Sequence, residues 1–445
     1  MRASRTCQLP LTFALGEHEH LSELREISRI LDARPEVAEI AHTALTKGRR
    51  DDRGREALSA EQVVRATALY KMHGWNYREL EFELRYNEAY RSFCRLRWDQ
   101  SPSKSALNRD IKSIDDACWT AINHLLVEHA IELDIEDGTT TRTDCTVTEA
   151  HIHHPTDSSL LYDCVRKLTD LMDKARKKQV VNVSYRNHRK VAKRRDLAIV
   201  NAKRQVKRIP LYRDLLKYAV RSLGYARRML AALRMRKHPL ASALAETFAH
   251  FIGLTEKVID QTERRVLHGE SVSAEEKIVS IFEEHTDVIR KGGRETHYGH
   301  KICLSVGRSN LITDCVVLDG NPADSTLTVS MMERHAEIFG SVPEQVAFDG
   351  AFASQNNLAA LKSLGVDEVM FHAKSGIAVE EMVSCPSIYK KLRNFRAGVE
   401  GVISYLKRVF GADRCRWKGA RSFTASVLSS VVAANLLTLA RHALS

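Results

Sequence analysis

The sequence predicts an α/β core joined to an all-α N-terminal domain and interrupted by a large all-α insertion. Three observations carry this. Apolar residues recur at helical spacing from Ser59 to Glu132; a β-branched stretch around Asp144 is followed by about a hundred residues with almost no strand signal; and from His300 onward short apolar strands alternate with helices. The expected boundaries are 1–135 for the N-terminal domain, 136–159 with 290–445 for the core, and 160–289 for the insertion. A chain of 445 residues, 44% hydrophobic, is long enough for two or three domains.

The elements follow in order. "SAEQVVRATALYKMHGWNYRELEFELRYNEAYRSFCRLRW" (59–98) gives two or three short helices broken at the "HGWN" turn, and "SKSALNRDIKSIDDACWTAINHLLVEHAIE" opens with Ser as a further helical stretch. "TTTRTDCTVTEAH" (139–151) alternates β-branched residues around Asp144 and reads as a strand. Long helices are expected from Leu160 to about Glu270, among them the cation-dense "KARKKQVVNVSYRNHRKVAKRRDLAIVNAKRQVKRIP". Such a run is either a solvated helical face or a surface for nucleic-acid backbone. After Gly292, "HKICLSVG" and "LITDCVVLDG" are strands and "TLTVSMMERHAEIFG" is a helix stopped by Gly340. "EQVAFDGAF" is a buried strand ending at Asp349, "SQNNLAALKSLG" a helix, "VDEVMFH" a strand, and a helix through residues 394–411 comes last.

Composition narrows the partners. The excess of 68 Lys+Arg over 56 Asp+Glu gives a formal charge of +12, which favours a polyanion, nucleic acid before an anionic membrane. The first twenty residues carry too short and interrupted an apolar segment for a secretory signal, and a soluble, intracellular protein is expected. Nine cysteines (7, 94, 118, 145, 164, 303, 315, 385, 415) form no C-x-x-C pair and read as reduced thiols. His151, His153 and His154 lack a partner cluster, so a loop or DNA-contact role is preferred over zinc, and Asp157 in "TDSSLL" resembles a helix N-cap. Met331 and Met332 read as core.

The last predicted helix, "NFRAGVEGVISYLKRVFG", places Arg396, Glu400 and Lys407 within about 40° of one direction, and Arg393 joins them one turn earlier. A charged stripe is usually a solvated face. Here, however, two strands upstream carry Asp144 and Asp349. With Asp144 at the sheet centre, Asp349 ending a parallel neighbour and the helix across the sheet, three carboxylates converge, which suits oxygen-preferring Mg²⁺ or Mn²⁺ and in-line phosphoryl transfer.

The element order resembles that of ribonuclease-H-like nucleotidyltransferases, a mixed sheet flanked by helices. The Arg-x₃-Glu-x₆-Lys spacing of Arg396, Glu400 and Lys407 is similar to the signature helix of DDE insertion-sequence transposases. "TDCTVTEAHIHHPTDSSLLYDCVRKL", "EEKIVSIFEEHTDVIRKGG" and "VVLDGNPADSTL" resemble stretches of the bacterial ISNCY type, and the likeness extends from about residue 60 to the end. One position departs: many relatives have Tyr where this chain has Arg393. The resemblance implies that Asp144, Asp349 and Glu400 are catalytic and hold two Mg²⁺ or Mn²⁺ ions, and that Arg396 and Lys407 grip phosphates, with Arg393 able to reach another. It implies double-stranded DNA as partner (transposon ends and target), a homodimer in the paired-end complex, no membrane, and a cytoplasmic, nucleoid-associated location. Two rivals stand beside this reading: a catalytically inactive DNA-binding regulator, and a nuclease of the same fold without strand transfer.

Overall fold

The computed structural model describes residues 2–5, 19–48, 57–291, 295–372 and 376–445. Cys7 and the rest of residues 6–18, which bear on a signal segment, lie outside the described residues. The chain divides into two compact units, one formed by Met1–His151 with His300–Ser445 and the other by Ile152–Gly299.

The first unit opens with seven helices: α1 (Glu19–Ala33), α2 (Glu36–Thr46), α3 (Ala60–Met72), α4 (Tyr77–Tyr86), α5 (Glu88–Phe93), α6 (Lys104–Ile111) and α7 (Asp116–Glu132). Their starts are chemically marked. Ser59 with Gln62 and Asn76 with Glu79 form reciprocal capping boxes on α3 and α4. The stretch after Ser103 is two helices, because the Asp115 side chain accepts from Cys118 N and begins α7 anew. The strand β1 (Thr140–Ala150) then carries Asp144.

The second unit holds α8 (Asp157–Lys177), α9 (Arg189–Asn201), α10 (Gln205–Arg234) and α11 (Pro239–Thr262). Thr156, one residue earlier than expected, caps α8, while Asp157 accepts from Arg265 at 2.8 Å. The four helices close over Leu161, Val165, Leu168, Leu215, Met229 and Phe248, each 0% exposed. Each such side chain contributes on the order of 2 kcal/mol when taken from water. The unit also contains β2 (Asp287–Lys291), which pairs antiparallel with the first residues of β3 (Glu295–Gly307).

From His300 the chain is again in the first unit, and β4 (Ile312–Val317) pairs antiparallel with β3. Next come α12 (Thr328–Phe339), β5 (Gln345–Phe348), α13 (Gln355–Ser363), β6 (Glu368–Phe371), α14 (Val379–Met382), α15 (Pro386–Phe410), β7 (Arg414–Cys415) and α16 (Ala420–Leu444). Gly340 stops α12 in the left-handed conformation, φ 77°. The strand order is β3-β1-β5-β6. β1, β5 and β6 run parallel, and β7 pairs with the far end of β1, so the sheet is mixed. Helices flank it, as a ribonuclease-H-like core requires. Met331 and Met332 are buried in the core beside Phe348, Phe352 and Phe371.

The last element is α16, not the helix through residues 394–411. It is long and apolar enough to cross a membrane, yet 89% of its most apolar window is buried inside the protein. Asn435 explains how it is fixed. Its amide accepts from Ile312 N at 2.9 Å and donates to Ile312 O and Asn123 Oδ1 at 2.8 Å, so the helix saturates the backbone at the start of β4.

Candidate active site

Register brings the two aspartates together. In the β1–β5 pair Thr143 stands opposite Phe348, so Asp144 and Asp349, the next residue on each strand, emerge side by side where parallel pairing ends. Asp144 accepts from its neighbouring Cys145 N at 2.7 Å and Asp349 from Gly350 N at 2.7 Å, which fixes one oxygen of each carboxylate.

The other oxygens meet a guanidinium. Arg396 Nη2 lies 3.0 Å from Asp144 Oδ2 and 3.5 Å from Asp349 Oδ2, and its Nη1 lies 3.0 Å from Glu400 Oε1. Arg396 and Asp144 are each 13% exposed at the side chain, Asp349 43% and Glu400 69%. The charged stripe of α15 therefore is not a purely solvated face. Arg396 lies between the buried Leu392 and Val399, whereas Glu400 faces outward. Arg393 is exposed, and Lys407 is half-buried two turns beyond Glu400. The structure thus brings Asp144, Asp349, Glu400 and Arg396 together and leaves Arg393 and Lys407 further along the same helix.

Two residues not singled out by the sequence pattern position this helix. Arg142, two residues before Asp144 on β1, is buried; it donates from Nη1 to Phe395 O at 2.6 Å and from Nη2 to Asn310 Oδ1. Its guanidinium also sits 4.5 Å from the centre of the Phe395 ring. Burial lowers its pKa to about 10, with the Glu136 carboxylate opposing the shift. Gly398 makes the approach possible, since a Cβ there would lie 2.4 Å from Arg142 Nη1. A glycine inside a helix is the signal that could have marked this contact.

The donor set fits a hard divalent cation in kind, because carboxylate oxygens are what Mg²⁺ and Mn²⁺ prefer. Three carboxylates against one guanidinium also leave the cluster net negative. Among the described residues no group of three His, Cys, Asp or Glu is close enough to share an ion. What the acids share is Arg396. The histidines after β1 do not build a metal site either: His153 lies 3.7 Å from Asp163, and His154 meets the Tyr298 ring edge-on. The eight described cysteines are free thiols.

Paired acids at parallel strand ends and a third on a helix across a mixed sheet are an arrangement consistent with a ribonuclease-H-like core. Residues 258–436 match the family model of the transposase DDE domain, and residues 14–112 match that of a second transposase domain, DUF772. Two transposase domains in one chain are consistent with an insertion-sequence transposase of the DDE class. Asp349, Glu400, Arg393, Arg396 and Lys407 fall inside the DDE match, whereas Asp144 lies between the two matched segments and joins the cluster through its bond to Arg396. Comparison with curated proteins and with solved structures gives no match.

Proposed function

We infer that this transposase, of the ISNCY type, cuts DNA at the terminal inverted repeats of its own element and joins the freed 3′-hydroxyls to target DNA. The observation that carries the reading is the meeting of Asp144, Asp349 and Glu400 on one guanidinium, Arg396. Asp144, Asp349 and Glu400 are the residues that would hold Mg²⁺ or Mn²⁺, two ions in the full site. Bound there, the metal supplies activation of the attacking oxygen and neutralisation of the leaving one.

The chain's own residues do the rest. Asp144 and Asp349 are pre-oriented by the backbone N–H groups of Cys145 and Gly350, so neither carboxylate has to search for its position. Arg142 and Gly398 hold α15 against β1 and so fix the distance of Glu400 from the strand ends. Arg396 stands among the acids and, released from them, would meet a phosphate at the site, and Arg393 and Lys407 extend the cationic track along the helix. The first unit carries the chemistry, a homodimer pairs the two ends, and the protein works on the nucleoid in the cytoplasm.

The test is a nicking assay on duplexes carrying the sequence that flanks the gene. Mg²⁺-dependent cleavage at a defined end, followed by joining of that end to a second duplex, supports the reading. Specific binding with neither step would make the chain a DNA-binding regulator. Cleavage without joining would make it a nuclease.

A further inference from the structure

The second unit contains an arrangement of charge that the catalytic reading leaves unused. Arg221, Gly224, Tyr225 and Arg228 lie at i, i+3, i+4 and i+7 on α10 and so share one face of that helix. Arg186, in the segment before α9, joins them to line an open pocket of about 420 Å³ floored by His188, which is 3% exposed. Among the described residues no carboxylate lines this pocket, and none of the three arginines takes part in an ion pair. The adjacent Arg227 does pair, with Glu256 at 2.9 Å.

The pocket is built rather than merely charged. His188 Nδ1 lies 3.3 Å from Ser222 Oγ, and its ring stacks on Tyr225 at 5.8 Å between centroids. Tyr225 in turn stands 5.0 Å from the Arg228 guanidinium, which keeps that side chain over the rim. Burial first, then the charges of Arg186 and Arg221, push the His188 pKa down, so the floor stays neutral below three cations. Gly224 lies between the two arginines on this face. It sits inside a long helix, where glycine is unfavourable, and a Cβ on it would meet nothing within 4 Å. Packing does not account for it. Its bare backbone lets a ligand approach the helix closely between the two arginines.

We propose that Arg186, Arg221 and Arg228 form a binding site for the phosphodiester backbone of DNA, with Gly224 as the point of closest approach. Arg221 and Arg228 are separated by about 10 Å along the helix, the axial length of about three nucleotides of one strand. A strand laid across Gly224 presents phosphates to both and a third to Arg186. The site also narrows where the insertion would hold DNA. Within the cation-dense run Arg195 is taken up by Asp214 at 2.5 Å, whereas Arg186 of the same run and the two α10 arginines form no ion pair among the described residues. This inference rests on the chain being a DNA transposase, and the experiment separates the two.

Full-length protein is titrated with a duplex of the gene's flanking sequence and with an unrelated duplex over a range of salt, and nicking in Mg²⁺ is measured in parallel. The R186Q/R221Q/R228Q variant should weaken both duplexes alike, because backbone contacts carry no sequence, and should flatten the salt dependence by roughly 2 to 3 units. Its thermal midpoint should not move, since all three side chains are exposed. A charge-matched K174Q/K177Q/K178Q variant should flatten it by less than half as much. Gly224→Glu removes no cation but places a carboxylate among them, and should also weaken binding. Equal losses from the two triple variants, or none from either the pocket triple or Gly224→Glu, would overturn the site. If those results came from a protein that still nicks DNA, the transposase reading would survive alone. A wild-type chain that binds neither duplex would remove both.

Discussion

Two long helices hold arginine in opposite ways. On α15 one guanidinium is shared by three carboxylates from two strands and its own helix. On α10 two guanidiniums, with a third from Arg186, line a pocket without a carboxylate among the described residues. The side chain is the same, so its role follows from what surrounds it. Arg396 cancels local repulsion and holds acids that would otherwise push apart, whereas the α10 cluster keeps its repulsion uncancelled and gains most from an added anion. The comparison teaches that positive charge marks a nucleic-acid surface only where the fold withholds acidic partners.

The largest effects should come from the α15 side. Asp144→Asn, Asp349→Asn and Glu400→Gln should each reduce end cleavage by at least about 100-fold while end binding stays near wild type, because each swap is nearly isosteric and removes little DNA-contacting surface. Cleavage and binding measured side by side decide the matter. A variant that keeps substantial cleavage would take its residue out of the site.

Gly398→Val is expected next. The added Cβ must displace Arg142 or α15, since it would lie 2.4 Å from Nη1, and displacement of the helix moves Glu400 and Arg396 together. Cleavage should fall by roughly 10-fold or more, with a lower thermal midpoint. Gly401→Ala, at a position where a Cβ meets nothing, should leave cleavage unchanged and slightly stabilise the helix. Equal behaviour of the two substitutions would show that the approach of Arg142 does not position α15.

Much of the α15 side was legible in the sequence, and the reason is local. β-branched residues around Asp144, the apolar run before Asp349 and the spacing of Arg396, Glu400 and Lys407 each sit within one element. The direction in which the stripe faces was not legible, because a helical wheel orders side chains around an axis without saying which neighbour the axis meets. α16 escaped for another reason: it is apolar nearly all round, and a helix buried on every side has no periodic contrast to detect. β7 has only two residues. The α10 pocket is a tertiary product, joining Arg186 to Arg221 across 35 residues of chain, and within the cation-dense run that contains Arg186 the later Arg195 is taken up by Asp214.

A smaller effect should separate Lys407 from Arg396. Lys407→Ala should reduce the salt dependence of end binding by about one unit, because Lys407 stands two turns beyond Glu400 on the same helix. Arg396→Gln should act differently: it should change the salt dependence less and tighten Mn²⁺ binding measured calorimetrically without DNA, since the carboxylates lose the cation that already occupies them. If both substitutions gave the same pair of changes, Arg396 and Lys407 would be serving one role, and the contrast drawn within α15 would fail.

Lys71 supplies a third way to hold a cation, with neither an acid nor open water against it. It is 5% exposed on α3, donates to Ser426 O and Ser426 Oγ at 2.9 Å, and lies 5.1 Å from the Trp417 ring. Burial lowers its pKa to about 8, with Cys415 opposing the shift and Arg416 adding to it. A lysine whose pKa is lower folded than unfolded binds fewer protons in the folded state, so stability must rise with pH between about 8 and the unfolded value. The whole gain is bounded by about 3 kcal/mol and is complete only above the unfolded pKa of about 10.4. Denaturant unfolding at a series of pH values should show this rise in the wild type and a smaller one in Lys71→Met, which keeps the volume and drops the titration. Identical pH profiles would mean that Lys71 keeps its charge, and that two hydrogen bonds and aromatic faces can hold a buried cation as well as the carboxylates hold Arg396.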